Sequence, residues 1–555
     1  MISKLKLKFG SSQTKPPLET DTTPITVFVG PNNSGKSKVL IEIQTFCGNG
    51  TPNTTNVILN ELDFTPVSNP EAEINSHTLT PRHNEFIQPG HILFGKAAHR
   101  NQLNRQQLVN FFSNVATHRQ QYCAYYVSFN TIRIDGGSRI NLINSQPAGD
   151  LQGHPHNSLQ VLFRDDPKRQ EVRRIIYDAF KKYFVIDPTN LGNLRIRLSD
   201  TAPTNDIQER GIHEDAVQFH NRALDITLAS DGVKAFTGII TTIIAGDPNV
   251  ILIDEPEAFL HPSLASNLGK EVSNSVNGIS KNLFVSTHSA NFLMGCIQSG
   301  TPLNIIRLTY SNNTPTARIL PSDKVLKLMR HPLLRSTGVL NGLFYEYVIV
   351  TEGDADRAFY QEINERLLAF TPAKGIPNCL FLNAQNKQTI HEIMKPLREM
   401  GIPCAAIVDV DVVKDGGTTW TNLLSGAFVP EVTINSTGVS RGNIKSRFDS
   451  KGVNFKTHGG VDVLDPTDRE ACNNLFDQLD EYGIFAVRKG ELEIWLKALK
   501  ATSSHSPDWL VEIFEKLGED PTATTYVKPA AGDVWDFIAK IKTWFTNPTR
   551  KGTPE

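Results

Sequence analysis

Two groups of residues in this sequence have the types and spacing for phosphate chemistry. The first opens at "GPNNSGKS", residues 30 to 37, a G-x-x-x-x-G-K-S pattern between the apolar run "ITVFV" and the helix-compatible run "KVLIEI". Gly30 and Gly35 let the backbone N–H groups around Asn33 and Ser34 wrap an anionic phosphate, with the positive helix N-terminus behind them. Lys36 is placed to neutralise terminal phosphate charge, and Ser37 to hold Mg²⁺. A partner lies downstream in "NVILIDEPEAFLHP", where Val250 to Ile253 read as a buried strand ending in Asp254 and Glu255. Asp254 suits the outer shell of Mg²⁺, and Glu255 can polarise an attacking water. "NLFVSTH" ends a further strand in His288, placed to sense or stabilise a γ-phosphate.

The second group begins in "VIVTEGDADRAFY", where four β-prone apolar positions run into Glu352, Asp354 and Asp356. Such acids are either solvated helix-start residues or ligands for a cation. A downstream echo favours the cation: "PCAAIVDVDVVKDGG" is another apolar strand ending in acids, Asp409 and Asp411, two residues apart and so on one side of the chain. Glu352 and Asp409 both fall at the carboxyl ends of strands, the edge where parallel sheets collect ligands. Carboxylates converging there cannot all stay ionised without compensation. Hard oxygen ligands select Mg²⁺ or Mn²⁺.

These residues need sheets to position them, and the chain is long enough for more than one. At 555 residues it exceeds what a single core serves, so two or three domains are expected. Hydrophobic content of 39% and charged content of 21% are ordinary for a globular protein, and a net charge of −2 confines any nucleic-acid contact to local patches. Six cysteines lie far apart with no C-x-x-C pair, which argues against a zinc finger or ribbon and for buried thiols in a reducing compartment. No long apolar run or signal-peptide core is present, so a cytoplasmic protein with no membrane partner is expected.

The first 45 residues read strand, loop, strand, phosphate loop, helix. Residues 50 to 120 read as irregular excursions around one or two helices, 122 to 134 as β-rich, and 166 to 184 as an amphipathic helix. A connector over 321 to 338 leads to alternating elements: strand 347–351, helix near 355–368, strand 379–383, helix near 387–400, strand 404–409. The expected fold class is α/β in both halves, divided near residue 340 into a domain over 1–340, with insertions at about 50–220, and a domain over 341–555 with a C-terminal helical extension.

In order, the phosphate loop, "LASDGVKAFTGII", "ILIDEPEAFLHP" and "VSTHS" resemble the ABC-type ATPase heads of chromosome-maintenance and recombination-repair proteins. The resemblance implies ATP as cofactor, a helical insertion in the head, and two heads that sandwich ATP, each capped by the other's signature loop. That loop would be Ser230, Asp231 and Gly232, which departs from the family's usual Leu-Ser-Gly-Gly core. Roughly 190 residues between loop and signature are too few and too unpatterned for a long coiled coil.

The E-G-x-x-D and D-x-D pair resembles the Toprim domain over about residues 345 to 500. By that resemblance Glu352 takes the catalytic glutamate role, with Asp409, while Asp356, Asp409 and Asp411 hold metal. Glu493 in "FAVRKGELEIWL" is the last acidic ligand, with Lys489 or Glu491 nearby, and Lys387 in "NAQNKQTI" approaches a phosphate. Of the Toprim chemistries, a topoisomerase wants a tyrosine nucleophile on a separate domain, and none of the 11 tyrosines stands out. A bacterial-type primase wants a zinc module that the cysteines deny. Phosphodiester hydrolysis needs only metal, water and a carboxylate base, with two ions about 4 Å apart in the usual arrangement.

An ATPase head followed by Toprim is the layout of the OLD (overcoming lysogenization defect) nucleases, shared by the Gabija nuclease subunit and OLD-type retron effectors. It implies an ATP-regulated, metal-dependent DNA endonuclease or nickase in antiphage defence, a homodimer or higher homo-oligomer through its heads, and a companion helicase or a reverse transcriptase with its RNA–DNA product. The alternative is a non-cleaving ATP-dependent DNA clamp or nucleotide sensor. DNA would be gripped by "STGVSRGNIKSRFDSKGVNFKTHGG", read as a mobile loop, whose Arg441, Lys445, Arg447, Lys451 and Lys456 face a single acid, Asp449.

Overall fold

Apolar runs that a charge ends only at the last residue become strands buried on both faces. Six strands of the first half form one sheet: Ile25–Val29 (β1), Thr131–Ile134 (β2), Val250–Asp254 (β3), Asn282–Ser286 (β4), Leu303–Ser311 (β5) and Thr314–Leu320 (β6). The computed structural model describes all residues except 82–84, 97–98, 151, 279–280, 312, 321, 331–337, 503–505 and 555. It divides into two compact units, Met1–Ser322 and Asp323–Glu555. The connector expected over 321–338 lies partly outside the described residues, and the division falls ahead of residue 340.

In the first unit the sheet order is β6-β5-β1-β4-β3-β2, with β1 to β5 parallel and β6 antiparallel to β5. The strand carrying the phosphate loop and the strand carrying Asp254 are therefore separated only by β4, which leads to His288. All three carboxyl ends meet at one edge. Helix Lys36–Asn49 (α1) packs Val39, Leu40, Ile43 and Phe46 into the same buried cluster as Phe28, Leu252 and Phe284. Asp166–Phe180 (α2), Asp231–Gly246 (α3), Pro262–Asn274 (α4) and Ala290–Gln298 (α5) follow.

Two stretches of this unit differ from expectation. Residues 50 to 120 hold helices Pro70–Ser76 and Arg105–Ser113, but also an antiparallel hairpin, His91–Lys96 with His99–Asn104, and a strand Leu59–Phe64 paired with Ile2–Leu7. The stretch 122–134 is not β-rich. Residues 119 to 130 wind as α, π and 3₁₀ turns, and only Thr131–Ile134 is extended. Helical spacing brings the rings of Tyr122 and Tyr126 to 5.3 Å from each other and packs both on Phe112, so aromatic packing overrides β propensity.

The second unit alternates: Tyr347–Thr351 (β7), Asp354–Phe370 (α6), Cys379–Asn383 (β8), Ile390–Glu399 (α7), Cys404–Asp409 (β9), Glu431–Ser450 (α8), Pro466–Glu481 (α9), Ile484–Val487 (β10) and Asp533–Thr546 (α10). Its four strands are parallel in the order β8-β7-β9-β10. The chain moves from β7 to one side and returns to β9 on the other, which opens a crevice at the carboxyl ends of β7 and β9. Trp509, Trp535, Ile538 and Phe545 are buried in one cluster with Ile349, Phe359, Tyr360 and Ile407. The loop expected over 436–460 is corrected: residues up to 450 belong to α8, a 20-residue helix. No helix among the described residues is long and apolar enough to cross a membrane.

Candidate functional site: a phosphate loop and an acid-lined cavity

Each unit carries one site at the carboxyl edge of its sheet. In the first, Gly30 (φ 143°) and Gly35 (φ 94°) take left-handed backbone. A Cβ at Gly30 would lie 2.0 Å from Leu308 O, and one at Gly35 2.4 Å from Ile58 Cδ1, so neither position admits a side chain. Asn33 is also left-handed at φ 61°, Ser34 is buried, and Lys36 and Ser37 open α1. Lys36 Nζ donates to the carbonyls of Gly30 (2.9 Å) and Pro31 (2.7 Å). Burial pushes the Lys36 ammonium down to about 8, against the pull of Glu255 and Asp254.

Strand β4 fixes the acids of β3. Ser286 Oγ donates to Asp254 Oδ1, and Glu255 N–H donates to Ser286 O at 2.9 Å. Glu255 sits at φ 48° and faces His288, whose Nε2 is 3.5 Å from Glu255 Oε1. Burial, and next the Lys36 ammonium, hold the His288 imidazole below its ordinary value. Two residues that sequence reading passed over complete this edge. Arg139, 1% exposed, donates through Nη2 to Asp254 O at 2.8 Å and through Nη1 to the Glu255 carbonyl at 2.5 Å. Glu257 accepts from His288 N–H at 2.7 Å, and burial raises its carboxyl. The visible signal for Glu257 was its place in "DEPE"; Arg139 had none, because a lone arginine in a loop carries no pattern. Ser230 and Asp231 lie at the start of α3, both exposed. Gly232 packs under the loop after Glu255, where a Cβ would lie 2.6 Å from Phe259 O.

The second unit separates the three acids of "EGDAD" by role. Asp354 is a helix-start acid, exposed and paired with Arg357 at 2.7 Å. Asp356 caps α6, its Oδ2 accepting from Gly353 N–H at 3.0 Å, and also lines a cavity of about 360 Å³. Glu352 enters that cavity from the end of β7, and Asp409 N–H donates to its Oε1 at 2.9 Å. Glu352, Asp409 and Asp411 each bring a carboxylate oxygen within 4.8 Å of the others. Burial and then Asp409 push Glu352 up to about 8, and the same causes push Asp356 up to about 7. Burial raises Asp409 as well.

Glu491 and Glu493, on the turn after β10, line the same cavity. Lys489 is exposed and does not line it. Two lysines do. Lys387 Nζ lies 3.0 Å from Asp411 Oδ1 and 2.9 Å from Asp415 Oδ2. Lys456 Nζ lies 2.9 Å from Asp409 Oδ2 and 3.4 Å from Glu491 Oε2. The basic stretch is thus engaged with acids from several elements. Lys445 pairs with Asp449 (2.9 Å), Arg447 with Asp468 (3.6 Å) and Lys451 with Asp465 (2.9 Å). Arg441 donates to Val413 O at 3.0 Å and so braces the turn after Asp411.

The fold and these sites define a class, an ATPase domain joined in one chain to a Toprim domain. Residues 158–294, which take in Ser230, Asp254, Glu255 and His288, match the family described as "AAA domain, putative AbiEii toxin, Type IV TA system". Residues 343–411, from β7 to Asp411, match the "Overcoming lysogenization defect protein-like, TOPRIM domain" family. The Old nuclease of Escherichia phage P2 is 26% identical over 266 residues, covering 44% of this chain and 42% of that protein. The chain thus spans less than half the length of this curated relative. The two family matches and this relative together support an ATPase–Toprim protein of the OLD type.

Among solved structures, an SMC head bound to the C-terminal winged-helix domain of ScpA is 14% identical, at a TM-score of 0.33, and covers 59% of this chain and 99% of that one. The SMC head domain of Thermotoga maritima is 14% identical at 0.28, covering 58% and 98%.

Proposed function

We propose that this protein is an ATP-regulated, divalent-metal-dependent DNA endonuclease or nickase that acts in the cytoplasm against phage. The observation that carries the reading is the convergence of Glu352, Asp409 and Asp411 within 4.8 Å at the carboxyl edge of a parallel sheet. An all-carboxylate donor set fits Mg²⁺ or Mn²⁺, and these three residues would hold the ion, with Asp356 and Glu493 in the same cavity. A divalent ion there supplies Lewis-acid charge and acidifies water. Asp409 N–H keeps Glu352 Oε1 turned into the trio. Without the ion, burial and then Asp409 push Glu352 up to about 8, so a divalent ion bound there would displace its proton. Lys387 and Lys456 add positive charge at the cavity, favourable to a DNA backbone.

In the first unit, residues Gly30 to Ser37 cradle the triphosphate of ATP, and Glu255 is the base for its hydrolysis. A homodimer of heads is supported by the apolar exposure around the signature loop. Leu228 (77% exposed) and Phe259 (58% exposed) stand near Ser230 and Asp231, a surface suited to a second copy.

Supercoiled plasmid with Mg²⁺ or Mn²⁺ across a range of ATP concentrations tests the reading. Nicked or linear product from the wild type and none from Asp409→Ala supports it. Plasmid left intact by the folded wild type at every ATP level sinks it and leaves a non-cleaving ATP-dependent clamp or sensor. Phage plating on cells carrying either form tests the defence role.

A further inference from the structure

In the first unit, β2 pairs with β3 only as far as Ile134 opposite Ile253, so on that side Asp254 and Glu255 have no strand beside them. On the other side β4 continues, pairing Ser286 with Asp254 and accepting the Glu255 N–H. A trans peptide points its N–H and C=O opposite ways, so the Asp254 carbonyl faces the side that β2 has left. Were Glu255 extended, its own carbonyl would turn back toward β4. Glu255 is instead left-handed, at φ 48°, a backbone that residues with a Cβ disfavour. Its carbonyl therefore lies on the same side as that of Asp254. Arg139 takes both, with Nη2 at 2.8 Å from Asp254 O and Nη1 at 2.5 Å from Glu255 O.

The arm that brings the guanidinium is fixed at its root. Arg139 is 1% exposed, and its Nε donates to Asp135 O at 3.3 Å. Asp135 and Ser138 close the turn before it: Ser138 N–H donates to Asp135 Oδ1 at 2.9 Å, and Asp135 N–H to Ser138 Oγ at 3.1 Å. Helix α3 backs the same turn at Gly238, where a Cβ would lie 2.8 Å from Arg139 O and 2.9 Å from Leu142 Cβ. The guanidinium's hydrogen bonds go to backbone carbonyls, and the carboxylates of Glu257, Glu255 and Asp254 offset its charge from further away. Two donors in a rigid fork match two carbonyls side by side, a geometry that a lysine ammonium does not reproduce. We propose that Arg139 is a positioning residue for ATP hydrolysis, its fork holding Glu255 in the left-handed backbone from which the carboxylate faces His288. It acts through Glu255 alone. The inference rests on the reading of Glu255 as the base.

Steady-state ATP turnover tests it. Arg139→Met should lower kcat by about 10² and leave the KM for ATP within about twofold, because the phosphate loop is untouched. Arg139→Lys keeps the charge and loses the fork, and should fall between Arg139→Met and wild type. The deciding comparison is made in the Glu255→Gln background, with residual turnover read from radiolabelled ATP. There Arg139→Met should cause no further loss, since the group it positions is gone. Circular dichroism and ATP binding check the folding of each variant, and should Arg139→Met not fold, Arg139→Lys is compared in both backgrounds. An equal fold-loss in both backgrounds, or wild-type kcat in Arg139→Lys, overturns the positioning role and leaves Glu255 as the base. Wild-type turnover in Glu255→Gln overturns both.

Discussion

His288 is held at two points by two different glutamates: its Nε2 lies 3.5 Å from Glu255 Oε1, and its backbone N–H donates to Glu257 Oε1 at 2.7 Å. The two acids are not equivalent. Glu255 is exposed at the strand end, whereas burial raises the carboxyl of Glu257. Glu255→Gln should retain ATP binding and lose turnover by about 10² or more, as expected for removal of a general base. Glu257→Gln keeps an acceptor for His288 N–H and should keep turnover near the wild-type rate. Steady-state phosphate release from both variants checks this; equal losses would move the base away from Glu255.

Asp409→Ala should abolish DNA cleavage while ATP hydrolysis measured without DNA stays near wild type. The motivation is that Asp409 and Lys36 serve sites in different compact units. Parallel loss of both activities in a protein with wild-type circular dichroism would contradict two separate sites.

Lys36 sets a pH dependence for ATP binding. With its ammonium pushed down to about 8, the lysine is charged below that pH and increasingly neutral above it. Bound phosphate favours the charged form, so binding above pH 8 takes up a proton. Affinity should be flat below pH 8 and fall by up to about tenfold per pH unit above it. Titration calorimetry in two buffers of different ionisation enthalpy reads the proton directly, and no buffer dependence at pH 9 would rule the effect out.

The basic residues of α8 should separate into two behaviours. Lys445 and Arg447 are exposed and held by surface ion pairs of small worth. Replacing both by Ala should lower DNA affinity for all sequences alike and reduce the salt slope by roughly one unit for each phosphate no longer neutralised. Arg441→Ala should leave the slope unchanged and reduce cleavage, because it releases the turn that follows Asp411 from its brace at Val413. Fluorescence anisotropy at several salt concentrations, beside the plasmid assay, distinguishes them. An unaltered affinity and slope in the double variant would leave this helix without a DNA role.

By itself the sequence determined the strands that carry chemistry. An apolar run buried on both faces must stop where its first acid appears, so β3, β7 and β9 end at Asp254, next to Glu352, and at Asp409, where local reading puts them. The glycines of the phosphate loop were legible for the same local reason, since no other residue fits their backbone. What the tertiary structure alone decided is which charges meet. Residues 436 to 450 read as a loop because Ser, Gly and Asn dominate them; they form a helix whose Arg441 and Arg447 find Val413 and Asp468 on other elements. Tyr122 and Tyr126 read as strand residues, and packing on Phe112 makes them helical. Lys387 and Lys456 read as cations for a phosphate, and the fold sets them on Asp411 and Asp409. Helical and strand periodicity act over a few residues, whereas an ion pair depends on where separate elements pack, and a linear pattern does not record that.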